Sequence, residues 1–196
     1  WINLSYKTSQ VPENDGKFLV RPIFYKEDKN GEFSEEIGVN ELNTLEVNTK
    51  LKVNIVASDN RSSDIKGLVG ADFDILASKS LSIVDNSIKI SDDLPLFNNI
   101  IRESNGFRIE AGSAPDLGIG GSIGDEKDEL IASFEVLVNN PDLKLQVSIT
   151  PGIGEFRDGL TTRNAESLNA DNSIIHSVSN QEGADIEILA PGNDEV

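Results

Sequence analysis

The stretch Leu130-Ile131-Ala132-Ser133-Phe134-Glu135-Val136-Leu137-Val138 decides the fold class. Leu130, Ala132, Phe134, Val136 and Val138 fall on one side of an extended chain, and Ser133 and Glu135 on the other. An apolar residue at every second position is the period of a β-strand, whose side chains alternate between faces; a helix needs spacings of three and four. One face is therefore read as core and the other as wet, as in antiparallel sheets.

The same alternation recurs on both sides of this stretch. Leu51, Val53 and Ile55 alternate with Lys52 and Asn54, and Ala71, Phe73 and Ile75 with Asp72 and Asp74. Downstream, Leu143, Leu145, Val147 and Ile149 alternate with Lys144, Gln146 and Ser148, and Ile186 and Ile188 with Asp185 and Glu187. Further strands are predicted over 18–25, 81–84, 87–90 and 107–110. Asn30-Gly31 predicts a hairpin turn between Ile23–Lys26 and Phe33. Asn105-Gly106, Asn139-Asn140-Pro141 and Pro151-Gly152 mark the other turns. About nine short strands joined by polar turns predict an all-β fold, a two-sheet antiparallel β-sandwich. At most one short helical turn is expected, within 91–102, where Pro95 and Asn98-Asn99 limit it. Phe73 and Phe134 sit centrally in clean stripes and are predicted core residues on facing sheets.

A chain of 196 residues suits one domain with a core large enough to need no staples. Residues 1–17 read as a linker or N-terminal extension, 18–189 as the sandwich and 190–196 as a C-terminal linker, which Pro191-Gly192-Asn193-Asp194 opens. The chain has no Met, as expected of a processed product or of one module cut from a longer protein. Its apolar runs are far shorter than the ~20 residues that span a bilayer, so direct membrane insertion is not expected.

Acids outnumber bases 34 to 17, giving a formal charge of -17 spread along the chain. Such a surface repels nucleic acids and anionic membranes and suits a basic partner or divalent cations. With no Cys, disulfides, thiolate metal sites and thiol nucleophiles are excluded. The one His, His176, lies in a polar stretch with no nucleophile elbow, and a lone His cannot build a His-based zinc site. Sugar-binding and glycosidase sites need stacking platforms, yet the chain has one Trp and two Tyr. Trp1 stands at the terminus, where capping a neighbouring module explains it better.

Three polar stretches invite a ligand. Gly118-Ile119-Gly120-Gly121-Ser122-Ile123-Gly124 misses the dinucleotide spacing, because the third glycine position falls on Ile123, and no helix follows. It reads as a long flexible loop. Lys26-Glu27-Asp28-Lys29-Asn30-Gly31 has Gly at an EF-hand offset, but Lys26 stands at the first ligand position and Ile37 at the twelfth. Asp125, Glu126, Asp128 and Glu129 form an acidic cluster that a solvated loop explains. No catalytic, cofactor-binding or metal-binding residue is therefore assigned. Calcium is the cofactor these acids come nearest to supporting, and a structural calcium is not expected. Arg61, flanked by Asp59 and Asp64, is expected to tie a loop through carboxylate contacts.

One block goes beyond alternation: Val53-Asn54-Ile55-Val56-Ala57-Ser58-Asp59-Asn60-Arg61, then Gly67-Leu68-Val69-Gly70-Ala71-Asp72-Phe73-Asp74-Ile75. It resembles cohesin-like domains of large secreted bacterial proteins of cyanobacterial type, in which a strand ends near Asp-x-Arg and the next begins with Gly-hydrophobic-x-Gly/Ala-Ala. Val20-Arg21-Pro22-Ile23 with its Lys-Asn-Gly turn resembles the family's first strand. Gly118 to Gly124 followed by Leu130-Ile131-Ala132-Ser133-Phe134-Glu135-Val136 resembles a later loop and strand. The resemblance spans roughly 18–189. Where the family continues with Tyr-Asp-x-x-x-Leu, this chain has Leu76-Ala77-Ser78-Lys79-Ser80-Leu81, so a dockerin-type surface does not transfer residue by residue.

The resemblance implies a jelly-roll sandwich used for non-covalent attachment. The expected function is a non-catalytic protein-binding or adhesive module of a secreted or cell-surface scaffold, outside the cell. Its expected partner is another protein or a neighbouring module of the same assembly. The alternatives are a structural repeat unit of a surface filament or layer, a calcium-stabilised carbohydrate-binding module and a hydrolase fragment.

Overall fold

The computed structural model describes residues 16–42, 44–125, 127–152, 159–165, 173–175 and 178–179. The predicted strand at 186–188, His176, Trp1, Glu126 and both predicted linker ends but for Gly16 and Lys17 lie outside them. The strands are β1 Phe18–Lys26, β2 Glu35–Ile37, β3 Lys50–Asp59, β4 Leu68–Ala77, β5 Leu81–Ile83, β6 Lys89–Ile90 and β7 Leu96–Glu103. They continue with β8 Gly106–Gly112, β9 Glu129–Val138, β10 Gln146–Pro151, β11 Leu160–Thr162, β12 Ser173–Ile175 and β13 Val178–Ser179. Eight of the nine predicted segments are strands, and the ninth lies outside the described residues.

Two sheets face each other. The first runs β12-β1-β3-β9-β5, with β2 beside β1 and β6 beside β9; the second runs β13-β10-β4-β8-β7, with β11 beside β4. Neighbours are antiparallel except β1 and β12, which pair in parallel. That pairing sets a late strand beside the first, closing the jelly roll at this edge.

The alternating stripes meet between the sheets. Phe134 and Val136 from β9 and Val53 and Ile55 from β3 are fully buried, as are Phe73 and Ile75 from β4 and Phe107 and Ile109 from β8. Phe73 and Phe134 are thus core residues on facing sheets. Phe107 and Phe134 cross between the layers as an edge-to-face pair, ring centroids 5.0 Å apart at 79°. Each fully buried ring contributes about 1.5–3 kcal/mol of transfer free energy, and the edge-to-face geometry adds to that.

Four sequence expectations need correction. The helical turn is not in 91–102: β7, Leu96–Glu103, occupies most of that segment. A four-residue helix sits at Val39–Leu42 instead, its start tied by Gly38 N–H donating to Glu41 Oε2 at 2.7 Å, and a 3-10 turn spans Pro115–Leu117. The β9 stripe slips at its start. A bulge opposite Ile55 and Val56 leaves Leu130 at 37% exposure while Ile131 and Ala132 are both buried. A bulge inserts one residue and so reverses which side chain faces inward. Leu143 is exposed because β10 begins only at Gln146. The glycine-rich loop is pinned: Ile123 is buried and exchanges backbone hydrogen bonds with Leu68, and Ala114 does so with Ile119.

Candidate interaction surface

The outward face of the second sheet follows from its register. Three rows cross it: Thr150, Asp74, Arg108 and Ile101; Ser148, Leu76, Gly106 and Glu103; and Asp72, Glu110 and Asn99. These are the polar positions of the alternating strands, opposite Phe73, Ile75, Phe107 and Ile109. Two apolar residues break the pattern, Leu76 at 45% and Ile101 at 42% exposure. Around them the charges are fixed. Arg108 Nε donates to Asp74 Oδ1 at 3.1 Å, and its guanidinium lies 3.7 Å from Glu103. Asn99 Nδ2 donates to Glu110 Oε2 at 3.3 Å. The result is a sheet face with two exposed apolar side chains set between oriented polar groups.

At one end of the sandwich, the loop between β3 and β4 is knotted around Asp59. Arg61 Nε donates to Asp59 Oδ1 at 2.9 Å and its NH2 to Oδ2 at 2.7 Å, a bidentate pair. The N–H of Gly67 reaches Oδ2 at 2.9 Å, and that of Arg61 reaches Oδ1 at 3.1 Å. Burial opposes ionisation of this carboxyl, but the hydrogen bonds of Arg61 and the Gly67 N–H, with the nearby guanidinium charge, outweigh it and hold Asp59 below its ordinary value. Gly67, at φ +94°, must be glycine here: a Cβ would stand 2.7 Å from Ser122 Cβ. Arg61 is thus structural, as its sequence neighbours suggest. Asp59 is the partner, and Asp64 is exposed.

Beside this knot opens a polar cleft of about 470 Å³ lined by Ser63, Asp64, Ile65, Lys66, Asp116, Asp125 and Arg163. Arg163 pairs with Asp116 at 2.6 Å, and Ser122 Oγ donates to Asp125 Oδ2 at 3.2 Å. The suspected acidic cluster is dispersed: Asp128 pairs with Arg21, Glu129 accepts from the Gly124 N–H, and Glu126 lies outside the described residues. In the suspected EF-like turn, Asp28 Oδ1 accepts from the N–H groups of Asn30 at 2.8 Å and Glu32 at 2.9 Å. Those backbone donors, Glu32 first, lower its pKa. The turn joins β1 to β2, with Phe33 in the connection rather than in the strand. Among the described residues, no three His, Cys, Asp or Glu side chains are grouped to hold a metal ion.

The sequence reading assigned no site residue, and it missed the outer sheet face. Leu76 is apolar at a position where the alternation of β4 puts polar residues, and Ile101 shows as its neighbour on that face only through the strand register.

No protein-family model matches the chain, nor does any curated protein sequence. Solved structures do. A type II cohesin domain from the cellulosome of Acetivibrio cellulolyticus matches at a TM-score of 0.51 and 8% identity, over 83% of this chain and 94% of that one. A type I cohesin–dockerin complex from Clostridium thermocellum matches at 0.48 and 12% identity, over 69% and 89% of the two chains. The seventh ScaB type I cohesin from Pseudobacteroides cellulosolvens matches at 0.46 and 14% identity, over 83% and 90%. With the two sheets, their order and the first of these matches together, the chain has the fold of a cohesin-like β-sandwich.

Proposed function

We propose that this chain is a non-catalytic protein-binding module of a secreted or cell-surface scaffold, which docks its partner on the outer face of the second sheet. The observation that carries the reading is the pair Leu76 and Ile101, exposed on an otherwise polar sheet face among anchored charges. A rigid sandwich supplies that face with little ordering cost, because its strands are fixed before the partner arrives. The fold's likeness to a cohesin domain of a cellulosome supports an attachment role in an extracellular assembly. The charge of -17 favours a basic partner.

The test uses the intact chain as bait for the extracellular proteins of its source, beside a Leu76→Arg/Ser148→Arg variant. One protein retained by the wild type should bind it again when purified, at a fixed ratio, and lose affinity roughly tenfold or more with the variant. Retention of the same proteins by both baits would remove the sheet face from the function.

A further inference from the structure

A sheet edge exposes unpaired N–H and C=O groups, and folded proteins keep such edges short, charged or covered. Among the described residues, the strands other than β7 at the ends of the two sheet paths are short: β5 and β12 have three residues each and β13 has two. β7 has eight. Among the described residues it is hydrogen-bonded only to β8, on one side, and every residue from Phe97 to Glu103 is exposed. Its centre, Asn98-Asn99-Ile100-Ile101, carries no charge and no proline.

The start of β7 is strained. Its register with β8 shifts between Leu96 and Asn99, and there Phe97 and Asn98 take φ of +66° and +31°. A Phe in the left-handed region is strained, and such a conformation persists only where the surrounding structure holds it. What that backbone achieves is to keep Phe97 out of the core, 78% exposed, with its ring against Gly112. The edge therefore offers backbone donors and acceptors together with one large aromatic anchor.

Charge identifies the occupant. Asp92 and Asp93 are exposed just ahead of β7, Glu103 ends it, and the Asp85 side chain is 94% exposed. The nearby cations are engaged, Arg102 with Asp85 and Arg108 with Asp74 and Glu103. A second copy would bring another charge of -17 to this edge. We infer that β7 receives an extended segment of a partner protein, with Lys or Arg alternating with apolar residues, which adds to the second sheet as a strand beyond β7. This surface is the backbone edge of the sheet. β7 also lends Asn99, Ile101 and Glu103 to the face proposed above, but an added strand binds through main-chain groups beyond β7, an established way of capturing a peptide.

The probe is a capped ten-residue peptide alternating Lys and Val, with a Glu-for-Lys peptide as control. Hydrogen exchange of the intact chain, with and without about 1 mM peptide, should show new protection confined to 97–103 with the Lys peptide alone. Ile100→Lys, which puts a like charge on the exposed edge, should weaken binding roughly tenfold or more with an unchanged melting temperature. Leu76→Arg/Ser148→Arg should leave the peptide bound, so failure here is distinct from failure of the sheet-face reading. Equal binding of the Glu peptide, protection elsewhere, no binding, or self-association of the free chain through β7 would each overturn the proposal.

Discussion

The two sheets share one core and differ on their outer faces. On the first sheet, the outward positions include Leu19 at 3%, Ile23 at 8% and Val56 at 6% exposure, which are buried yet stand outside the core between the sheets. On the second, the apolar outward residues Leu76 and Ile101 are half exposed. Apolar area that is covered contributes to stability, while area left open contributes only when something binds it. Under the proposed function, the first sheet is the structural layer of the sandwich and the second its presenting layer.

The shared core sets the upper bound on this comparison. Phe134→Ala removes the ring that spans the layers against Phe107 and should cost ~3–5 kcal/mol by denaturant unfolding. A loss below about 1 kcal/mol, the level of surface changes, would mean that the sheets do not share this core.

The Asp59 knot, at the turn from the first sheet to the second, comes next. Arg61→Ala leaves a buried carboxylate without its bidentate partner, and should cost about 3 kcal/mol, at the low end for a broken buried pair. The sign of its pH dependence follows from the lowered folded-state pKa. The stabilisation is complete above the ordinary value of 3.8 and is lost as pH falls through the lower folded value. Asp59→Asn should therefore flatten the stability curve below about pH 4. An unchanged acid limb would separate the knot from acid unfolding.

The sharpest contrast is between matched substitutions on the two outer faces. Ile23→Ala should cost about 2 kcal/mol, because a buried side chain leaves a cavity. Leu76→Ala should change stability by under about 0.5 kcal/mol, since half of that side chain already meets solvent. Equal losses would erase the distinction between a structural and a presenting layer.

The sandwich was legible because burial on one face writes itself into every second residue: β3, β4 and β9 are read directly from their stripes. What escaped is what alternation cannot encode. The β9 bulge reverses side-chain facing without changing composition, so Leu130 looked internal. β7 has no core face to impose a period, which is why the stretch 91–102 reads as room for one short helical turn. Arg61 was legible because a lone base between acids has few other uses, whereas its bond network with the Gly67 N–H depends on tertiary approach. The interaction surface was hidden for a simpler reason: an exposed Leu is common, and only the strand register shows Leu76 sharing an outward face with Ile101 across β8.

The smallest expected effect concerns charge. Self-repulsion at -17 should destabilise the compact state at low ionic strength. Raising salt from 0.01 M to 0.1 M shortens the Debye length from ~30 Å to ~10 Å, so the melting temperature should rise by a few degrees. The gain is modest because several acids are already paired, Asp74 and Glu103 with Arg108 on the second sheet and Glu27 and Glu135 with Lys50 on the first. A specific cation site would behave differently, acting at low concentration and saturating as RT ln(1 + [L]/Kd). Adding ~1 mM calcium in 0.1 M salt should leave the melting temperature unchanged, since Asp28 is occupied by backbone donors and Asp116 and Asp125 by Arg163 and Ser122. A saturating rise that EDTA reverses would make the cation part of the fold and move the functional weight from the second sheet to the loop end.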